Sequence, residues 1–222
     1  IVYDDRSTDG SIKTLKKFKK IELIQNYKKF LSPPLNQLEG LKHAFKKSSG
    51  DIICLLDADD YFAGNKLELI NIYFNKNLDK NILFDIPFSK YINFIPKIKD
   101  HSYSIWPSII PTSGISIRRN TLKKFFDFSK IKKFRHLEID SRIMIFSYHY
   151  LNEMNLIKKK ITYYNIDENG ISSKYKKFSK LWWHKRSQAF TYLRYILTKK
   201  KKKCFIISFD YIITLIICRF LI

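Results

Sequence analysis

No CxxC pair occurs in this chain, and only three cysteines are present, Cys54, Cys204 and Cys218. That argues against a disulfide framework or a structural zinc site, and a reducing compartment is expected. The chain begins at Ile1 rather than Met and shows no signal peptide. It opens inside an apolar segment, so an element is expected to be missing before it and the chain is read as a fragment. Acidic residues are scarce: 20 Asp+Glu face 42 Lys+Arg, for a net charge of +22. With 45% hydrophobic residues the chain is still no disordered polyelectrolyte. Its 222 residues suit one domain, with or without an appendage. The positive charge attracts phosphate or anionic lipid but identifies no partner by itself. The lysines are scattered and no recognised nucleic-acid motif accompanies them, so nucleic acid is not an expected partner.

A long uninterrupted apolar run is also lacking. The best approach to one is CFIISFDYIITLIICRFLI, residues 204–222, which contains Asp210 and Arg219. A bilayer span needs about 20 apolar residues. A carboxylate within it is unfavourable by roughly 2.5–3.5 kcal/mol. Two readings stay open. One is a helix lying in a membrane surface, with the lysine run Lys199–Lys203 at anionic headgroups. The other is a C-terminal helix buried against the core.

What is present begins with alternation. Ile1–Tyr3 is apolar and ends in Asp4-Asp5; a Ser/Thr/Asp/Gly turn follows; Ser11–Lys20 has helical spacing. Ile21–Gln25 reads as a strand, and Ser32-Pro33-Pro34 as a break. Asn36–Lys47 reads as a helix, Asp51–Leu56 as a buried strand and Lys66–Phe74 as a helix. This order predicts an α/β unit with a mostly parallel central sheet. Ligands bind such sheets beyond the carboxyl ends of the strands. Both acidic turns, Asp4-Asp5 and Asp57–Asp60, fall at such ends. Later elements are less regular: strands over Ile82–Phe88, Tyr91–Ile95 and Ile161–Tyr164, a loop over Trp106–Pro111, and helices over 120–126, from Leu137 to about Tyr150, and over Lys180–Leu197.

The stretch LLDADDY, Leu55–Tyr61, crowds Asp57, Asp59 and Asp60 together in a basic chain. Carboxylates at i and i+2 on a turn can converge on a hard cation such as Mg²⁺ or Mn²⁺, which takes oxygen ligands and substrate phosphate. Helix capping would account for one aspartate but not for three. At Asp4-Asp5, a strand-end carboxylate can accept hydrogen bonds from a base or ribose. Ser7 and the turn around it lead into a helix N-terminus, which favours phosphate.

IVYDDRSTDGS, followed by NQLEGLKHAFKKSSGDIICLLDADDYF, resembles the nucleotide-sugar-binding half of family-two glycosyltransferases. The resemblance covers residues 1–75. It departs at Arg6, where the family commonly has Gly, and at Pro33-Pro34, where it has a Gly-rich loop. It implies a GT-A-like (Rossmann-like) nucleotide-diphospho-sugar transferase fold with a C-terminal helical tail. It also implies inverting transfer of a sugar from a nucleoside diphosphate donor, UDP-linked, with Mg²⁺ or Mn²⁺ as cofactor. Asp5 and Asp4 match residues that hold the uridine. Asp57 and Asp59 match the DxD that meets ribose and metal-bound diphosphate, with Asp59 the metal ligand of first choice, and Asp60 supports the turn. Thr112–Arg119 resembles the acceptor loop and the segment after it. Glu138-Ile139-Asp140 resembles the family's ED base site with Ile inserted, so both acids are candidates and Asp140 is placed first. Asn169–Lys174 resembles a late loop that closes over the donor, with Lys174 near the diphosphate. Trp182, Trp183 and His184 either line an acceptor path or pack.

The expected organisation is a glycosyltransferase domain over 1–176, with a donor half (1–80) and an acceptor half (81–176). A helical tail, basic then apolar, covers 177–222. The expected acceptor is a saccharide or lipid-linked saccharide in surface glycan synthesis, met at the cytoplasmic membrane face. The alternatives are an inactive transferase fragment, a haloacid-dehalogenase-type phosphotransferase and a basic nucleic-acid module. The phosphotransferase reading needs a different residue at Tyr61 and a downstream Lys with an acidic pair, neither of which stands out.

Overall fold

The computed structural model describes residues 1–28, 32–89, 109–129, 134–165, 174–201 and 208–221. The first strand, β1 (Val2–Asp4), pairs in parallel with β2 (Leu23–Gln25), and α1 (Ser11–Leu15) lies between them in the chain. This helix is shorter than the expected Ser11–Lys20. Beyond Leu15 only Phe18 interrupts the lysines, and it is exposed, so nothing apolar remains to anchor another turn.

Next comes α2 (Pro33–Lys47). Pro33-Pro34 does not break the chain but starts this helix. Proline suits the first helical positions, where its fixed φ helps and the missing N–H has no intrahelical partner. The Ser32 hydroxyl donates to the Arg135 carbonyl at 2.7 Å and ties the helix start to a distant loop. Gly40 lets α2 approach β1 closely: a Cβ there would lie 2.6 Å from the Tyr3 ring.

The strand β3 (Ile52–Cys54), half-buried rather than buried as expected, leads through the acidic turn to β4 (Tyr61–Phe62), α3 (Lys66–Lys76) and β5 (Ile82–Asp85). A tight turn, Thr112–Gly114, opens β6 (Ile115–Arg118), followed by α4 (Arg119–Phe128). The helix α5 (Ile139–Ile145) runs into a π-helical turn, Phe146–Leu151, which Asn152 ends at φ 60. Two short strands, β7 (Leu156–Ile157) and β8 (Thr162–Tyr163), precede α6 (Lys180–Lys199) and α7 (Phe209–Leu221).

The central sheet has the order β3-β6-β5-β7. The fold is α/β as expected, and in this sheet β3, β5 and β7 run one way while β6 runs against them. β6 lies between β3 and β5 and is antiparallel to both, while β5 pairs β7 in parallel. The βαβ alternation that predicts parallel strands ends at β5. β6 follows the connection 86–114 and runs through the sheet in the opposite direction. A separate ribbon joins β4 to β8, antiparallel, with the Tyr61 and Tyr163 rings stacked 4.5 Å apart.

The core forms where β5 and β6 meet α4, α5 and α6. Ile82, Phe84, Ile115, Ile117, Phe125, Ile143 and Tyr192 belong to one buried cluster. Its apolar burial is the main source of stability. The strand expected over Tyr91–Ile95 and residues 106–108 of the loop expected over Trp106–Pro111 lie outside the described residues.

Candidate active site

The acidic turn after β3 is clamped from two sides. On one side the Asp57 N–H donates to the Ser113 hydroxyl at 2.9 Å. On the other, the Asn165 N–H donates to Asp60 Oδ1 at 2.9 Å and its amide to the Asp59 carbonyl at 2.6 Å. Within the turn the Asp60 N–H donates to the Asp57 carbonyl at 3.2 Å. The three aspartates therefore differ. Asp60 is buried and its Oδ2 has no hydrogen-bond partner among the described residues. Asp57 is half-buried and accepts from the Gln37 amide at 3.2 Å. Asp59 is exposed.

Burial pushes the Asp57 carboxyl up to about 6, and the charges of Asp140, Asp60 and Asp59 push the same way against the Gln37 hydrogen bond. Burial likewise raises Asp60, opposed by Ser113 and Asn165. Tyr164, next to β8, lies in the field of all of them: burial raises its hydroxyl, and so do Asp60, Asp140, Asp59 and Asp57. The charges of four carboxylates from two distant segments thus all act on one tyrosine. Neither Tyr164 nor Gln37 stands out in the sequence, because neither has a motif around it.

A buried polar network lies beneath the turn. Lys66, at the start of α3, is fully buried and donates to Asp85 Oδ1 at 2.7 Å, the Ser113 carbonyl at 2.7 Å and Thr162 Oγ1 at 2.5 Å. Thr162 donates in turn to Asp85 Oδ2 at 2.5 Å. All three ammonium protons are placed, which is what lets a lysine sit in a core. The network pins Ser113, and Ser113 pins the backbone of Asp57. Removing the lysine strands a buried carboxylate. Lys66→Met is therefore expected to destabilise the fold by about 3–5 kcal/mol. Lys66→Met with Asp85→Asn should recover a large part of that, and chemical denaturation measures both.

The two candidate bases part company at the start of α5. Glu138 is the N-cap residue; its carboxylate turns towards α6 and is ion-paired to Lys185. Asp140, in the first turn, accepts from the Ser141 N–H at 2.5 Å, and its charge raises the pKa of Asp57. Burial raises Asp140, with Lys185 opposing. Arg142 fixes the loop before both: buried, it donates to the Leu137 carbonyl at 2.8 Å and the Phe134 carbonyl at 2.6 Å. Burial and the Asp140 charge carry Glu138 up to about 7 from its ordinary 4.5, against the pull of Lys185. The folded state thus holds this proton more tightly than the unfolded chain. The stability it adds is full below about pH 4.5 and is lost as the pH rises through about 7. Thermal midpoints measured across that window should fall with pH, and less steeply in Glu138→Gln. The slope that remains has the same sign, from Asp57 and Asp140.

At the first acidic turn, Asp4 is buried and accepts from the backbone N–H groups of Arg6 and Ser7, at 3.1 and 3.2 Å. It shapes the turn, with Arg6 at φ 65. Asp5 is more open and is held by the amides of Asn26 and Asn36, each at 2.7 Å. Ser7 is exposed and takes part through its N–H. Lys174 is exposed, with no hydrogen bond or ion pair to a site carboxylate among the described residues, and 169–173 lie outside them. Trp183 is buried against α7, through the contact of Cys218 Sγ with its carbonyl at 3.5 Å. His184 lies 5.9 Å from His136, ring to ring. Among the described residues no cluster of three or more His, Cys, Asp or Glu is arranged as a metal site.

A mixed α/β sheet with acidic turns at strand ends is the architecture of GT-A glycosyltransferases. The chain belongs to glycosyl transferase family 2, whose family model matches residues 1–142. Among solved structures it is similar to S. aureus TarS 1-349 in complex with UDP-GlcNAc, at 15% identity and a TM-score of 0.58 over 89% of this chain. It spans 56% of that chain. S. aureus TarS 1-349 in complex with UDP matches at 16% identity and a TM-score of 0.56, over 89% of this chain and 62% of that one. S. aureus TarS 1-349 alone matches at 14% identity and 0.57, over 98% and 68%. At these identities the likeness shows the fold. A search of curated proteins finds no match.

Proposed function

We propose that this chain carries the transferase unit of a metal-dependent, inverting glycosyltransferase. It moves a sugar from a UDP-linked donor to a saccharide or lipid-linked acceptor in surface glycan synthesis, at the cytoplasmic membrane face. The observation that carries this reading is the clamped turn that holds Asp57, Asp59 and Asp60 together at the end of β3, with the Asp140 charge acting on Asp57. Crowded carboxylates call for a cation. The family match and the UDP and UDP-GlcNAc complexes of TarS support a nucleotide-sugar donor.

The residues present fit Mg²⁺ or Mn²⁺. They are hard oxygen donors, Asp59 is exposed, and the buried Asp60 Oδ2 has no partner among the described residues. Asp59 and Asp57 would hold the ion. When bound, it supplies positive charge against the diphosphate leaving group. Asp5, positioned by Asn26 and Asn36, takes the uridine; Asp4 and Ser7 shape the turn beside it, and Lys174 serves the diphosphate. Asp140 takes the proton of the acceptor hydroxyl, and burial raises its pKa in the sense that suits a base. Attack opposite the diphosphate inverts the anomeric centre. Glu138, neutralised by Lys185, is the second candidate. Residues 1–80 form the donor half, 81–176 the acceptor half, and 177–222 the helical tail.

The test is UDP release from a panel of UDP-sugars with Mn²⁺ and a membrane extract as the source of acceptors. Release that a chelator stops is expected, with the opposite anomer in the product. No release from any UDP-sugar contradicts the reading.

A further inference from the structure

The final helix, α7, has one face sealed and one face open. On the sealed face Thr214 is fully buried, Cys218 touches the Trp183 carbonyl, and the Tyr211 ring lies 4.9 Å from Phe190. Asp210 is on this side as well, ion-paired to Arg186 of α6. The carboxylate that counts against membrane contact in the sequence is therefore turned to the protein and neutralised. The open face carries Phe209, Ile212, Leu215, Ile216 and Phe220, all exposed, the two phenylalanines by 69% and 83%. Their spacing places them on a single stripe of the helix. Arg219 is exposed among them. The contact of Cys218 with Trp183 sets the end of this stripe beside the start of α6, where Phe178 and Leu181 are also exposed.

We propose that the open face of α7 docks onto an anionic lipid bilayer, with the helix lying in the plane of the interface. Among the described residues no helix is long and apolar enough to cross a membrane. An apolar stripe with a cation in it is the pattern of a helix that lies on one. The exposed Lys199 and Lys201 at the end of α6 and the net charge of +22 favour an anionic surface. The same charge disfavours a second copy as the occupant. Pairing two such faces sets Arg219 against its mate and +22 against +22.

The position of α6 gives the docking a consequence. This helix holds Glu138 through Lys185 and carries α7 through Trp183, Arg186 and Phe190. The bilayer is thus one helix away from the base side of the site. If the reaction proposed above holds, the acceptor class that follows is lipid-linked; the docking itself does not depend on that reaction.

Co-sedimentation of the full chain with vesicles tests this. Binding to phosphatidylglycerol–phosphatidylcholine vesicles is expected, weakened by salt, with little binding to phosphatidylcholine alone. Ile212→Ser/Ile216→Ser/Phe220→Ser should weaken binding by about tenfold or more. These positions are exposed, so the thermal midpoint and UDP affinity of the variant should match the wild type. Absence of vesicle binding by the wild type overturns the proposal, as does equal binding by the variant. A wild-type dimer that the substitutions dissolve, without vesicle binding, assigns the face to a second copy and also overturns it. UDP titration of the same preparations reports separately on the donor site.

Discussion

Asp140→Asn is expected to lower turnover by about 10²–10⁴-fold while leaving UDP binding intact. Asp140 lies in the first turn of α5 and its charge reaches Asp57 across the site. Asn has the same shape but cannot take the acceptor proton. A second effect separates this loss from misfolding. Removing the Asp140 charge relieves one of the repulsions on Asp57, so metal-assisted UDP affinity should be equal or slightly tighter. Glu138→Gln should cost less turnover, because its carboxylate is already committed to Lys185. Steady-state kinetics beside UDP titration measures both. Full turnover in Asp140→Asn would move the base to Glu138.

The second large effect is expected at Asp59. Asp59→Ala should remove the Mn²⁺-dependent part of UDP affinity. Loss of a ligand's supporting partner alone commonly costs about 10–100-fold in metal affinity, and loss of a ligand should cost no less. The side chain is exposed, and its carbonyl rather than its carboxylate holds Asn165. The fold should therefore tolerate the change. Asp60→Ala should behave in the opposite way. It frees the Asn165 N–H from its acceptor and loosens the turn. Stability falls there, while part of the metal dependence persists. Calorimetric titration and thermal melts on the two variants distinguish ligand from support.

Much of this site is legible in the sequence because it lies in short motifs. Asp4-Asp5 and Asp57–Asp60 end strands, and a strand-end carboxylate can be found from apolar runs and their punctuation. The helices Pro33–Lys47 and Lys66–Lys76 follow from periodicity, although the Pro-Pro pair reads more readily as a break than as a helix start. The supporting contacts are not legible in this way. Lys66 meets Asp85, Ser113 and Thr162, which lie 19, 47 and 96 residues away. Nothing local to a lysine at a helix start predicts that it is buried. Glu138 and Asp140 look equivalent in the sequence. The difference between them comes from Lys185, 47 residues beyond Glu138. The two-residue strands β4 and β7 are too short for any period to register. The direction of β6 is not encoded by the alternation, which ends at β5.

The central claim is that the acidic turn holds a divalent cation and a nucleoside diphosphate together. Titration of the wild-type chain with UDP, with and without Mn²⁺, tests it most directly. Saturable UDP binding that strengthens with Mn²⁺ is the predicted result. UDP binding that is absent, or indifferent to Mn²⁺, would contradict it.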